Sequence, residues 1–144
     1  MLSTSIVQLS MQAAAAELGL AFAKFDKNMG NQYDALTATG VIMIAEMILR
    51  IKEGGLFVLG PPCSLWVFFS SSVHQRTKHN THGNIHNPSI RRSNHLARVV
   101  AGLIRLAVHR KVHFIIEQPV DSQLFSFPAI ARTMKKAQPH SSDI

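Results

Sequence analysis

The chain has one cysteine in 144 residues. That excludes a disulfide framework, a cysteine-based zinc site and a thioredoxin-type dithiol. Long apolar runs are also missing. The longest, Leu56 to Phe69, is interrupted by Pro61 and Pro62 and falls short of the ~20 residues a membrane span needs, so no membrane partner is expected. No Lys or Arg precedes Lys24, so the basic start of a secretory or mitochondrial leader is lacking and an intracellular protein, nuclear or cytoplasmic, is expected. Only 16% of the residues are charged. Acidic residues vanish between Glu53 and Glu117, a stretch that holds eight of the 15 basic residues, Arg76, Lys78, Arg91 and Arg92 among them. A formal charge of +7 distributed in this one-sided way points to a polyanion such as nucleic acid, or else to a solvated basic face.

What is present suits one domain over residues 1–144. At 47% hydrophobic the chain can bury a core, unlike the polar composition of disordered segments. Thr4 or Ser5 can cap a helix that runs through four alanines to about Leu18, with Gly19 as its stop. Leu20 to Phe25 reads as a short apolar strand. Val41 to Lys52 is apolar nearly all round and reads as a buried helix, with Glu46 and Arg50 on its wet face. Leu56 to Leu59 reads as a strand stopped by Gly60-Pro61-Pro62. Ser70 to Asn87 has no apolar period and reads as a long, flexible polar loop. Pro88 opens a helix to about His109, Val112 to Ile116 is a third apolar strand, a short helix covers about Ala129 to Lys136, and 138–144 reads as a disordered tail.

Helices alternating with apolar strands predict an α/β fold: a mostly parallel sheet covered on both faces, with helix crossovers. Ligands in such sheets bind beyond the carboxyl ends of the strands. Asp26, Cys63 and Glu117 fall there. Cys63 sits on a turn stiffened by two prolines, which can hold a thiol in place, although a nucleophilic thiol also needs a cation or base nearby. It reads equally as a small buried hydrophobe. Glu117 closes an apolar strand, where a partly desolvated carboxyl suits proton donation; an ion pair with Arg91 or Arg92 is the plainer role. Asp26 stands where an acidic residue binds the ribose of a nucleotide-type cofactor, or is a turn residue, and Asp34 is a second candidate on the adenine side. If the second and third strands pair, thiol and carboxyl face one flat substrate.

Pro61-Pro62-Cys63-Ser64 followed by Phe114-Ile115-Ile116-Glu117-Gln118-Pro119 resembles the C5-cytosine methyltransferase family, with its Pro-Cys nucleophile motif after one strand and its Glu-Asn motif after the next. The longer pattern Pro-Cys-Ser-x-Trp, basic helix, Ile-Glu-Gln-Pro is also similar to a group of uncharacterised proteins of single-celled eukaryotes. The resemblance covers roughly residues 15–125. It implies a Rossmann-like domain that binds S-adenosylmethionine and acts on cytosine in DNA. Cys63 would attack C6 of an extruded base and Glu117 would contact and protonate N3. Asp26 would match the acidic residue that holds the cofactor ribose, with Asp34 and Pro61 as further cofactor candidates; Arg76, Lys78, Arg91 and Arg92 are the candidate nucleic-acid contacts that the basic segment itself offers. The chain departs from the family in three ways: no strand and Gly-rich turn precede the first helix, Gln118 stands in place of Asn, and the later Gln-x-Arg-x-Arg motif is absent. The expectation is therefore a partial fold lacking its first strand, inactive by itself or reduced to a basic nucleic-acid-binding module.

Other signals are plainer. His74, His79, His82 and His86 cluster without a cysteine or carboxylate, so no metal is assigned. A histidine base for Cys63 has no telling candidate among the eight histidines. Arg91, His95, Arg98, Arg105 and His109 share one helix face, read as solvated, and His113 reads as a hydrogen-bonded core residue. Trp66, Phe68 and Phe69 either stack on a base or pack in the core.

Overall fold

The computed structural model describes residues 11–137. Residues 11–17 are helical (α1), and the proposed cap at Thr4 or Ser5 and the tail 138–144 lie outside the described residues. The next helix, α2, is Ala38–Arg50. It begins three residues before the apolar run suggests because Thr37 caps it, accepting a hydrogen bond from the Gly40 N–H at 3.0 Å. Gly40 is where α2 meets the turn before it; a Cβ there would overlap the Asp34 carbonyl. Strand β1 is Leu56–Leu59, followed by the four-residue helix α3, Ser71–His74. Then come α4, Pro88–His109, strand β2, His113–Ile116, and α5, Pro128–Ala137.

The chain is thus α/β, but its sheet has two strands among the described residues. β1 and β2 pair in parallel with Leu56 opposite His113 and Leu59 opposite Ile116. Parallel neighbours need a long crossover, and α4 supplies it. The Lys111 carbonyl accepts from Gly54 N–H at 2.9 Å, and Glu117 N–H donates to the Leu59 carbonyl at 2.8 Å, so main-chain bonds bracket the ladder at both ends. The exposed Lys111–Glu53 pair at 2.9 Å adds little.

Two expectations are corrected. Leu20–Phe25 forms no strand. A strand exists only through the partner that takes up its N–H and C=O groups, and this run has none; Leu18, Leu20 and Phe22 are exposed, and only Phe25 packs inward, edge-on to Tyr33 at 5.4 Å. Nor is the sheet covered on both faces. Phe57, Leu59, Phe114 and Ile116 pack against the helices. The alternate residues form an open face on which Leu56 and Ile115 are 50% and 52% exposed. His113 lies on that face, exposed, and is not a core histidine.

The core lies around α4. One side of it, with Ala97, Ala101 and Ile104, packs with Trp66, Leu124, Phe127 and Ile130. Leu103 and Ala107 pack with Ile44, Ile48 and Val112. Truncating Ile104, fully buried in the first cluster, removes three carbons from a packed site. Ile104→Ala is expected to cost about 2–5 kcal/mol, and Ile115→Ala on the open sheet face less than about 1 kcal/mol, compared by urea denaturation followed by circular dichroism.

Candidate functional site

The directions of the elements gather the motif residues at one end. β1 and β2 run parallel, and α4 lies between them in sequence, so its N-terminus sits at the strands' carboxyl end. Short connections turn α2 back into β1, and Arg110, just past α4, reaches the Leu49 carbonyl near the end of α2 at 3.3 Å. The N-termini of α2 and α4 therefore share the end at which β1 and β2 finish. Asp34, Cys63, Glu117, Arg91 and Arg92 belong to this rim.

The two strand exits are stitched together. Gln118 donates its side-chain N–H to the Pro61 carbonyl at 2.6 Å and accepts from the Ser122 hydroxyl at 2.8 Å. Gln123 N–H donates to the Trp66 carbonyl at 2.8 Å, and Trp66 N–H closes a turn on the Cys63 carbonyl at 2.8 Å. Cys63 is a half-buried free thiol at the start of that turn. The pairing of β1 with β2, the condition for thiol and carboxyl to share a rim, is met. Glu117 is exposed, which corrects the expectation of a desolvated carboxyl: the chain leaves the sheet at Ile116 and nothing covers the next side chain.

Arg76 was expected on the surface as a phosphate contact. It is 4% exposed. Its Nε donates to the Leu65 carbonyl at 3.0 Å, one terminal nitrogen to the Thr81 carbonyl at 2.6 Å and Asn94 Oδ1 at 2.8 Å, and the other to Ser93 Oγ at 2.8 Å. Its planar head lies over Trp66, 3.5 Å from the ring centroid, a favourable cation–π position. Burial pushes the guanidinium down from its ordinary value to about 10, so it stays charged at neutral pH. Four donors used inside the protein leave no fork for a phosphate. The sequence carried a signal for this: Asn94 stands in line with Ile90, Ala97 and Ala101 on the inward stripe of α4, and a polar residue there requires a buried partner.

The same knot organises the segment read as a flexible polar loop. The fully buried His74 sits between two main-chain groups, its Nε2 3.0 Å from the Val67 carbonyl and its Nδ1 accepting from Arg76 N–H at 2.9 Å. Gly83 takes φ +69 beside it, where a Cβ would overlap the His74 carbonyl. His82 stacks edge-on against Phe127 at 5.1 Å, while His79 and His86 are exposed. The four histidines thus serve separate roles, and no group of three His, Cys, Asp or Glu converges among the described residues. Lys78 is exposed on the Thr77–Asn80 turn, Arg91 folds onto the Ile85 and His86 carbonyls at 3.0 and 3.3 Å, and Arg92 is exposed.

The residues assigned to S-adenosylmethionine are engaged in local contacts. Asp26 caps a turn, accepting from Asn28 N–H at 2.9 Å, and Asp34 does the same for Leu36 N–H at 2.9 Å. Pro61 offers a carbonyl already bonded to Gln118. The strand that would end at Asp26 is not formed. A shallow, open depression of about 240 Å³ lies between α4 and α5 at the opposite end, lined by Arg105, His109, Thr133 and Lys136 among others. No helix of the described residues is long and apolar enough to cross a membrane.

Arg76→Met removes every donor while roughly keeping the volume, leaving Asn94 Oδ1 and the Leu65 and Thr81 carbonyls unpaired. It is expected to cost about 3 kcal/mol or more in urea denaturation. Arg76→Lys keeps the charge but not the fork, and is expected to recover less than half of that. Comparison of the chain with family models, curated proteins and solved structures finds no match.

Proposed function

We propose that this chain is a nucleic-acid-binding domain whose strand-crossover-strand unit derives from a Rossmann-like methyltransferase and which binds without S-adenosylmethionine. One observation carries the reading: the acid-free segment between Glu53 and Glu117 crosses from β1 to β2, and within it Arg91 and Arg92, near the start of α4, belong to the same end as the thiol turn. The methyltransferase ancestry is supported by the parallel pairing that brings the Pro-Pro-Cys and Glu-Gln-Pro motifs side by side. The engagement of Asp26 and Asp34 in turns favours binding over methyl transfer, and no methyl transfer is derived.

Phosphate contacts release counterions, so affinity falls with salt, by a logarithmic slope of roughly 0.7–0.9 per contact. Fluorescence anisotropy with a labelled 20-residue oligonucleotide tests this. The expected result is binding at about 50 mM salt that weakens steeply by about 200 mM. Arg91→Ala with Arg92→Ala should lower the slope by about 1–2, and Arg105→Ala, at the other end of α4, should leave it unchanged. Absence of binding at the lower salt overturns the proposal.

A second reading follows from Cys63 and Glu117 sharing the rim. The Cys63 thiolate would add to C6 of an extruded cytosine, forming the S–C6 bond, while the C5–C6 π pair shifts to C4–C5 and the C4–N3 π pair moves onto N3, which takes a proton from Glu117. Reversal regenerates thiolate and base. Between the two steps C5 can exchange its hydrogen with water. Incorporation of deuterium at C5 from D₂O, lost in Cys63→Ala, would support this reading. No exchange above the protein-free rate removes it and leaves binding intact.

A further inference from the structure

We infer that Phe68 and Phe69 form a stacking platform for the bases of an unpaired nucleic-acid strand, an inference that rests on the nucleic-acid reading and names its ligand class. Three neighbouring aromatics leave the thiol turn, and the structure separates them. Trp66 goes inward, into the core beneath Arg76. Phe68 and Phe69 go outward and are 72% and 97% exposed. These two adjacent phenyl rings are far more exposed than Phe22 and Phe125, at 37% and 40%, and exposed apolar patches of this kind mark binding surfaces.

The rings are displayed on a fixed backbone. Phe68–Ser70 is one 3₁₀ turn leading directly into α3. Phe68 N–H points to Asp121 Oδ2 at 3.4 Å, and Ser70 N–H bonds the Val67 carbonyl at 3.1 Å. The Ser70 hydroxyl reaches the carbonyls of Ser64 and Val67. His74, four residues on, anchors the Val67 carbonyl from below. Such a platform loses little conformational freedom when a base stacks on it.

The occupant follows from charge and accessibility. The rings belong to the acid-free stretch of sequence that also carries Lys78, Arg91 and Arg92, and Asp121 is the carboxylate that faces their backbone, so a ligand that meets the cations of this segment together with its rings carries negative charge and flat apolar faces. A duplex hides its base faces within the stack; a single strand offers them. Stacking is worth about a tenfold change in affinity or more per base and tolerates any sequence.

The test measures anisotropy with labelled 20-residue thymidine and uridine oligomers and with a 20-base-pair duplex, on the whole chain and on Phe68→Ala, Phe69→Ala and the double variant. The single strands are expected to bind at least tenfold tighter than the duplex, and the double variant to lose about tenfold or more on single strands with little change on duplex. The two oligomers assign DNA or RNA within that class. Both substitutions are on exposed rings, and unchanged melting curves confirm folding; Ile115→Ala, an exposed apolar residue of the open sheet face, should leave affinity unchanged. If duplex and single strands bind equally and the double variant matches the parent, the inference fails while the nucleic-acid reading stands. If nothing binds, both fail. Sedimentation as a dimer that the double variant abolishes, or ring-dependent binding to phosphatidylserine vesicles in place of oligonucleotides, also overturns it.

Discussion

A guanidinium buried against an indole holds together the part of this molecule that the parallel strand pair cannot. β1 and β2 are four residues each, enough to bring their ends together but too short to shape the long excursion from Gly60 to Asn87. Arg76 does that by joining the turn after Cys63, through the Leu65 carbonyl, to the far side of the loop at Thr81 and to α4 at Ser93 and Asn94. Burying a charge is costly unless its hydrogen bonds are met. Here four bonds and the Trp66 face meet the need, and Phe127 then closes on Trp66 edge-on at 5.4 Å. The position of the thiol turn relative to α4 depends on this one residue.

The long regular elements were legible in the sequence. α4 starts and ends where Pro88 and His109 indicate, because twenty-two residues of consistent period outweigh local noise, and β1 is bounded by glycines and prolines as read. The failures share a cause. Leu20–Phe25 has strand composition, but a strand is defined by its neighbour, which composition does not report. Glu117 and His113 were judged by apolar neighbours in the chain, whereas their exposure depends on what lies above the sheet. Arg76 looked like surface charge because nothing local distinguishes a cation that meets solvent from one that meets carbonyls; the clue lay eighteen residues away, at Asn94. Of the candidate site, the juxtaposition of the two motifs was readable, and the chemistry of their surroundings was not.

The two ends of α4 differ in character. At its N-terminus Asn87 caps the helix, accepting from Ser89 N–H at 2.9 Å, and the positive pole of the helix dipole adds to Arg91 and Arg92. At its C-terminus Arg105 stands near the negative pole. The dipole therefore adds to the charge of Arg91 and Arg92 at the rim and offsets part of that of Arg105 at the opposite end. Among the described residues, the exposed Glu117 and Asp121 are the rim's counterweight beside the two carboxylates engaged as turn caps.

Trp66 is the chain's sole tryptophan, and it sits beneath Arg76 and beside Phe127 at the junction of the thiol turn, the polar loop and α4. The intrinsic emission of the whole chain therefore comes from one indole that a cation covers in the native state. Its intensity and wavelength report the opening of this knot by itself, separately from the helix content that the rest of the molecule dominates, so loosening of the rim can be followed without any added label.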